Sequence, residues 1–157
     1  MGARPRLGAT ARLAPVDQTE EDTVPAGFNE LIGVELLEVG EDEASARVPV
    51  APKLLQPFAV VHGGVIASLA ETLTSYATWL RVHEGGSTAM GQANQTSFLR
   101  PISEGHVNAR AKLRHRGRTT WVWDVDVTDD AGRLCAVARM TVAVRPTPDA
   151  KAPSPQP

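Results

Sequence analysis

The residues best placed to do chemistry are His62-Gly63-Gly64 and, eight positions beyond Gly63, Glu71. The pattern from Gly63 to Val82 predicts one long helix with the glycines at its amino end. Glycines there leave backbone N–H groups uncovered, and the helix dipole adds partial positive charge, which suits a developing oxyanion. Between Gly63 and Leu80 the sole charged residue is Glu71. A carboxylate isolated in this way is a candidate nucleophile or general base. The plainer alternatives are a tight turn at the glycines, a His62 that only hydrogen-bonds, and a Glu71 paired with an arginine such as Arg100.

Ile66, Leu69, Leu73, Tyr76 and Leu80 recur at helical spacing and form a stripe suited to lie on a sheet. Gly64, Ala67, Ser68, Glu71, Ser75 and Thr78 fall on the opposite face, which is small and nearly uncharged. A solvated helix face normally carries more charge, so this one is expected to be covered by a second subunit. Gly63 and Glu71 are separated by about 12 Å along the axis, too far for one small electrophile to touch both on one chain. Two helices packed antiparallel across a twofold would bring Gly63 of one protomer to Glu71 of the other. Ser75, one turn past Glu71, has a hydroxyl able to bond the carboxylate or a water.

The elements that must position these residues follow from the pattern. Pro25 to Ile32 reads as a short helix, Val34–Val39 and Glu43–Val50 as a hairpin, and a proline-containing loop leads to the long helix. Four strands are expected after it: Ser87–Arg100, His106–His115, one carrying Trp121, Trp123, Val125 and Val127 on a face, and one carrying Leu134, Ala136, Ala138, Met140, Val142 and Val144. The simplest architecture is an α+β fold, an antiparallel sheet of about six strands wrapped round one helix. The folded domain is expected over 25–145, with a disordered tail at 1–24 and a proline-rich one at 146–157.

The chain has 157 residues, 42% apolar and 22% charged, with net charge −2. That balance fits one packed domain and gives no field for nucleic acid or an anionic membrane. No apolar run is long enough to span a bilayer, and the first sixteen residues lack the apolar core of a secretory signal, so a cytoplasmic protein is expected. One cysteine, Cys135, excludes an intramolecular disulfide framework and a multi-thiolate metal site. His83, His106 and His115 have no ligand spacing and are read as surface residues, so no metal is expected. Trp121 and Trp123 are read as core rather than as base-stacking platforms.

The run Val61-His-Gly-Gly-Val-Ile-Ala-Ser-Leu-Ala-Glu71 resembles the hotdog-fold acyl-CoA thioesterases. Gly91-Gln-Ala-Asn-Gln-Thr-Ser-Phe-Leu-Arg-Pro101, Thr119-Thr-Trp-Val-Trp-Asp124 and Asp129-Asp-Ala-Gly-Arg-Leu-Cys-Ala136 are similar to the Arthrobacter-type 4-hydroxybenzoyl-CoA thioesterases in particular. The resemblance implies a hotdog fold, a dimer whose sheets join edge to edge, and a tetramer of two dimers. It implies hydrolysis of an aromatic acyl-CoA to free acid and CoA, with no cofactor or metal. Position by position, Gly63 would give its N–H to the thioester carbonyl, Glu71 would act as nucleophile or base, and His62 and Gln56 would orient substrate, water or loop.

For the nucleotide end of CoA the candidates are Arg100, Arg116, Arg118 and Thr119, since arginine forks and a hydroxyl suit phosphates. Arg100 and Thr119 match the resemblance, whereas Arg118 replaces a small hydroxyl residue. Ser75 stands where the relative has threonine. Tyr76 replaces an acidic residue there and is a candidate for the acyl pocket, with plain core as its alternative. Two other readings stay open: a thioesterase for phenylacetyl or medium-chain acyl groups, and a non-catalytic acyl-CoA-binding module.

Overall fold

The computed structural model describes residues 27–147. In chain order they form helix α1 (Phe28–Ile32), strands β1 (Glu35–Val39) and β2 (Glu43–Pro49), a 3-10 turn at Pro52–Leu54, helix α2 (Gly63–Val82), and strands β3 (Ser87–Phe98), β4 (His106–Arg116), β5 (Thr120–Thr128) and β6 (Leu134–Pro146). The strands make one antiparallel sheet in the order β1-β2-β4-β5-β6-β3. Helix α2 packs along the inner face and runs closest to β3, which follows it in sequence but lies at the far edge of the sheet.

Alternation builds the inner face. Ala44, Ala46 and Val48 of β2, Val107, Ala109 and Ala111 of β4, and Trp121, Trp123, Val125 and Val127 of β5 are buried against Ile66, Leu69 and Leu73 of α2 in one core. The outward positions are polar and laced by ion pairs: Arg110 with Glu43 at 2.6 Å, and Asp124 between Arg114 at 2.8 Å and Arg139 at 2.9 Å. The hydrogen bond from Arg139, helped by both guanidinium charges, holds the Asp124 carboxyl below its ordinary range.

Three expectations about side-chain direction change. Thr78, expected on the open face of α2, is fully buried: its hydroxyl donates to Thr74 O at 2.8 Å and accepts from Trp123 Nε1 at 3.0 Å. A buried indole N–H requires an acceptor, and Thr78 supplies it. Leu134, expected inward, is 39% exposed while Cys135 is buried, because β5 and β6 shift register between Val127 and Thr128 and Cys135 becomes the extra residue of a bulge. Leu80 is only half-buried.

Boundaries also move. Strand β3 ends at Phe98 because the N–H groups of Leu99 and Arg100 both turn to Cys135 O. Strand β6 continues to Pro146, and Thr147 N–H donates to Gly86 O at 2.9 Å. Helix α1 starts at Phe28, and the expected tail 1–24 and residues 148–157 lie outside the described residues. Among the described residues no helix is long and apolar enough to cross a membrane.

Candidate active site

Helix α2 begins where the sequence pattern places it. His62 is its N-cap, with extended backbone, and its Nδ1 accepts from Gly64 N–H at 2.9 Å. His62 O accepts from Val65 N–H at 2.9 Å. The expectation that both glycine amides face a ligand is therefore corrected: His62 takes that of Gly64, and the Gly63 N–H is the first-turn donor that neither bond uses. The bond also assigns the acceptor role to Nδ1, so a neutral imidazole carries its proton on Nε2.

Gly63 opens into a cleft of about 480 Å³ whose lining includes Gln56, His62, Gly63, Ile66, Phe98 and Arg100. Gln56 reaches it from a tight turn in which Gln56 N–H donates to Val60 O and Ala59 N–H to Gln56 O, both at 2.9 Å. Ala59 sits there at φ 58°, a conformation uncommon for a residue with a β-carbon. Val61 N–H then donates to Ile102 O and His62 N–H to Leu54 O, which fixes the approach to the helix. Four expected site residues, Gln56, His62, Gly63 and Arg100, thus meet in one cleft. Arg100 does not pair with Glu71; its guanidinium donates to Leu134 O at 3.2 Å.

Glu71 lies two turns along α2, outside that cleft, and its side chain is exposed in the single chain. The carboxyl arm rests over Gly91 of β3, where a β-carbon would stand 3.0 Å from Cγ, Cδ and Oε1 alike. Among the described residues no cation forms an ion pair with it. One turn further, Ser75 Oγ is buried and has no hydrogen-bond partner among the described residues. A buried hydroxyl in that condition has a donor and an acceptor to offer.

The remaining candidates lie elsewhere. Tyr76 is buried and stacks on Trp79, with ring centroids 5.9 Å apart, but it stands apart from the main core cluster that Ile66, Leu69 and Leu73 join. Arg116, Arg118 and Thr119 belong to the β4–β5 end of the sheet. Arg116 reaches Asp42 at 2.8 Å in the β1–β2 turn and covers the Trp121 ring at 4.9 Å, and Thr119 O accepts from Val144 N–H and Arg145 Nη1. Arg81, near the carboxyl end of α2, bonds Gly40 O in the same β1–β2 turn. The helix's length, roughly 30 Å, therefore separates this group from Gly63 within one chain.

Two residues of the site were not singled out in the sequence. Phe98 forms a wall of the cleft beside Gly63, and Gly91 underlies Glu71. The signal for the second was a glycine inside a strand, which often marks a bulge or a close approach.

The pattern that defines the thioesterase superfamily matches residues 58–136. A relative from Mycobacterium tuberculosis is 43% identical over 116 residues, 73% of this chain and 81% of its own length. The chain belongs to the thioesterase superfamily. The proofreading thioesterase EntH of Klebsiella pneumoniae is 38% identical over 132 residues, covering 84% of this chain and 93% of that one. The crystal structure of a Haemophilus influenzae thioesterase superposes with a TM-score of 0.73 at 37% identity, covering 79% of this chain and 86% of that one. The six-stranded antiparallel sheet round one long helix is accordingly the hotdog fold of these thioesterases, and the chemistry of the family is thioester hydrolysis.

Proposed function

We propose that this thioesterase hydrolyses an aromatic acyl-CoA of the 4-hydroxybenzoyl type to the free acid and CoA, in sites shared between two protomers. The observation that carries the reading is the division of the chemistry along α2: the Gly63 N–H opens into a cleft lined by His62, Gln56 and Arg100, and the exposed Glu71 carboxylate stands about 12 Å further along the axis. An antiparallel second copy would unite the two halves twice over.

The edge of the sheet supports such a pairing. Strand β3 is 12 residues long, contains neither charge nor proline, and carries an exposed Met90. Natural edge strands usually hold such features as protection against pairing, and their absence fits a strand that joins another sheet.

A thioester carbonyl is already electrophilic and thiolate leaves readily, so an oriented carbonyl and one carboxylate suffice without a triad. Glu71 either draws a proton from a water that attacks the carbonyl carbon, or attacks that carbon itself to give an anhydride that water then cleaves. In both routes the carbonyl electron pair moves to oxygen, where the partner's Gly63 N–H stabilises it. Collapse returns the pair and expels the CoA thiolate, which is protonated. Preorganised donors of this kind are worth a few kcal/mol. In this reading Ser75 Oγ holds the water or the carboxylate, Phe98 and Ile66 supply apolar wall, and Arg100 of one protomer meets the nucleotide together with Arg116, Arg118 and Thr119 of the other. No metal or organic cofactor is called for.

Thiol release from a panel of benzoyl-, 4-hydroxybenzoyl-, phenylacetyl- and medium-chain acyl-CoA tests the substrate. A preference for an alkyl chain would move the assignment to that class. Glu71→Ala tests the mechanism: it is expected to keep the oligomer and substrate binding while kcat falls at least about a hundredfold. Binding of CoA esters with no turnover by the wild-type chain would instead identify a binding module.

A further inference from the structure

We infer that Gly91, Asn94 and Thr96 of β3 form a cradle that fixes the Glu71 carboxylate, so the edge strand supplies positioning residues for the reaction. This rests on the reading of Glu71 as the reacting carboxylate.

Three features of β3 converge on one turn of α2. The Glu71 arm lies directly on Gly91, close enough that a β-carbon would be 3.0 Å from three of its atoms. Gly91 is not among the residues with positive φ, so the backbone conformation does not demand glycine there; the space for Glu71 does. Next, the pairing of β3 with β6 shifts register between Gly91 and Ala93, making Gln92 the extra residue of a bulge. Bulges bend a strand locally and re-aim what lies on it. Finally, Asn94 Nδ2 donates to Ala67 O at 3.0 Å, and Thr96 Oγ1 donates to Asn94 Oδ1 at 2.7 Å, which fixes the amide's orientation. Ala67 O is the carbonyl that the helical ladder gives to the Glu71 N–H.

The strand thus holds both the backbone turn from which Glu71 springs and the surface on which its side chain lies. An exposed glutamate otherwise samples several rotamers. Contact with Gly91, which has no side chain of its own, restrains the carboxyl arm where no ion pair among the described residues holds it.

Gly91→Ala separates this role from a structural one. The added β-carbon meets only the outer atoms of one flexible side chain and no backbone, so Glu71 moves and the fold is kept. Displacement of a reacting group by a fraction of an ångström to one ångström costs up to about a hundredfold in rate. With the fastest acyl-CoA of the panel, the expected result is a kcat about tenfold lower, KM within twofold of wild type, and an unchanged melting temperature. A kcat within twofold of wild type, or a kcat loss matched by a large fall in melting temperature, overturns the cradle. Should Gly91→Ala not yield folded protein, Asn94→Ala and Thr96→Val read the same cradle with the same split expected, and normal kcat in both overturns it. The parallel Glu71→Gln variant keeps the two failures apart: full activity there removes the reading of Glu71 and the cradle with it, whereas an inactive Glu71→Gln beside a normal Gly91→Ala removes the cradle alone.

Discussion

The ring of Phe98 lies over Gly63 so closely that a β-carbon at Gly63 would stand 2.8 Å from Cζ. The first residue of α2 and the last residue of β3 therefore share one space, and the glycine is required by a neighbour as much as by any ligand. Gly63→Ala retains the N–H but must displace the ring, which is 56% exposed and free to swing outward. The expected outcome is a fall in kcat/KM of about tenfold, measured by thiol release. Adding Phe98→Ala should recover part of it by restoring the room.

Thr78 and Trp123 make a stability prediction separate from catalysis. Thr78→Val keeps the shape but leaves Trp123 Nε1, in a fully buried ring, without its acceptor. The cost should be about 1–3 kcal/mol in urea denaturation, with Thr78→Ser less damaging because the hydroxyl is kept.

Asp124 gives a pH prediction. Its carboxyl is held below the ordinary range in the folded protein by Arg139 and then Arg114. Its contribution is therefore complete above the unfolded value of about 4 and is lost as pH falls through the lower folded value. Asp124→Asn should be less stable than wild type by about 1 kcal/mol at neutral pH, and the difference should close as the solution is acidified through the lowered folded value. A constant difference across that window would assign the effect to packing instead.

Much of this molecule was legible in the sequence because its signals are local. The bounds of α2 follow from His62-Gly63-Gly64 at one end and a continuous small and apolar pattern to Val82. The alternation of Ala44, Ala46 and Val48 declared the inner face of β2. What stayed hidden depends on partners distant in sequence. Thr78 looked like an outward hydroxyl because nothing near it announces the Trp123 N–H. Leu134 obeyed the period of its strand until a bulge against β5 reversed it. The Gly64 amide looked open because helix-start glycines do not reveal that the preceding histidine will turn its ring back. Likewise, nothing near Arg116 in the sequence announces that its guanidinium pairs with Asp42 and Glu41.

The distance between Gly63 and Glu71 on one helix has a consequence for mixtures. If each reaction centre draws one member from each protomer, a chain damaged only at Gly63 and a chain damaged only at Glu71 are complementary cripples. Neither homodimer works, yet a hybrid of the two concentrates both lesions in one centre and leaves the other whole. Co-refolding inactive Gly63→Val with inactive Glu71→Ala in equal amounts should restore about a quarter of wild-type turnover, and two dead preparations would make a living one.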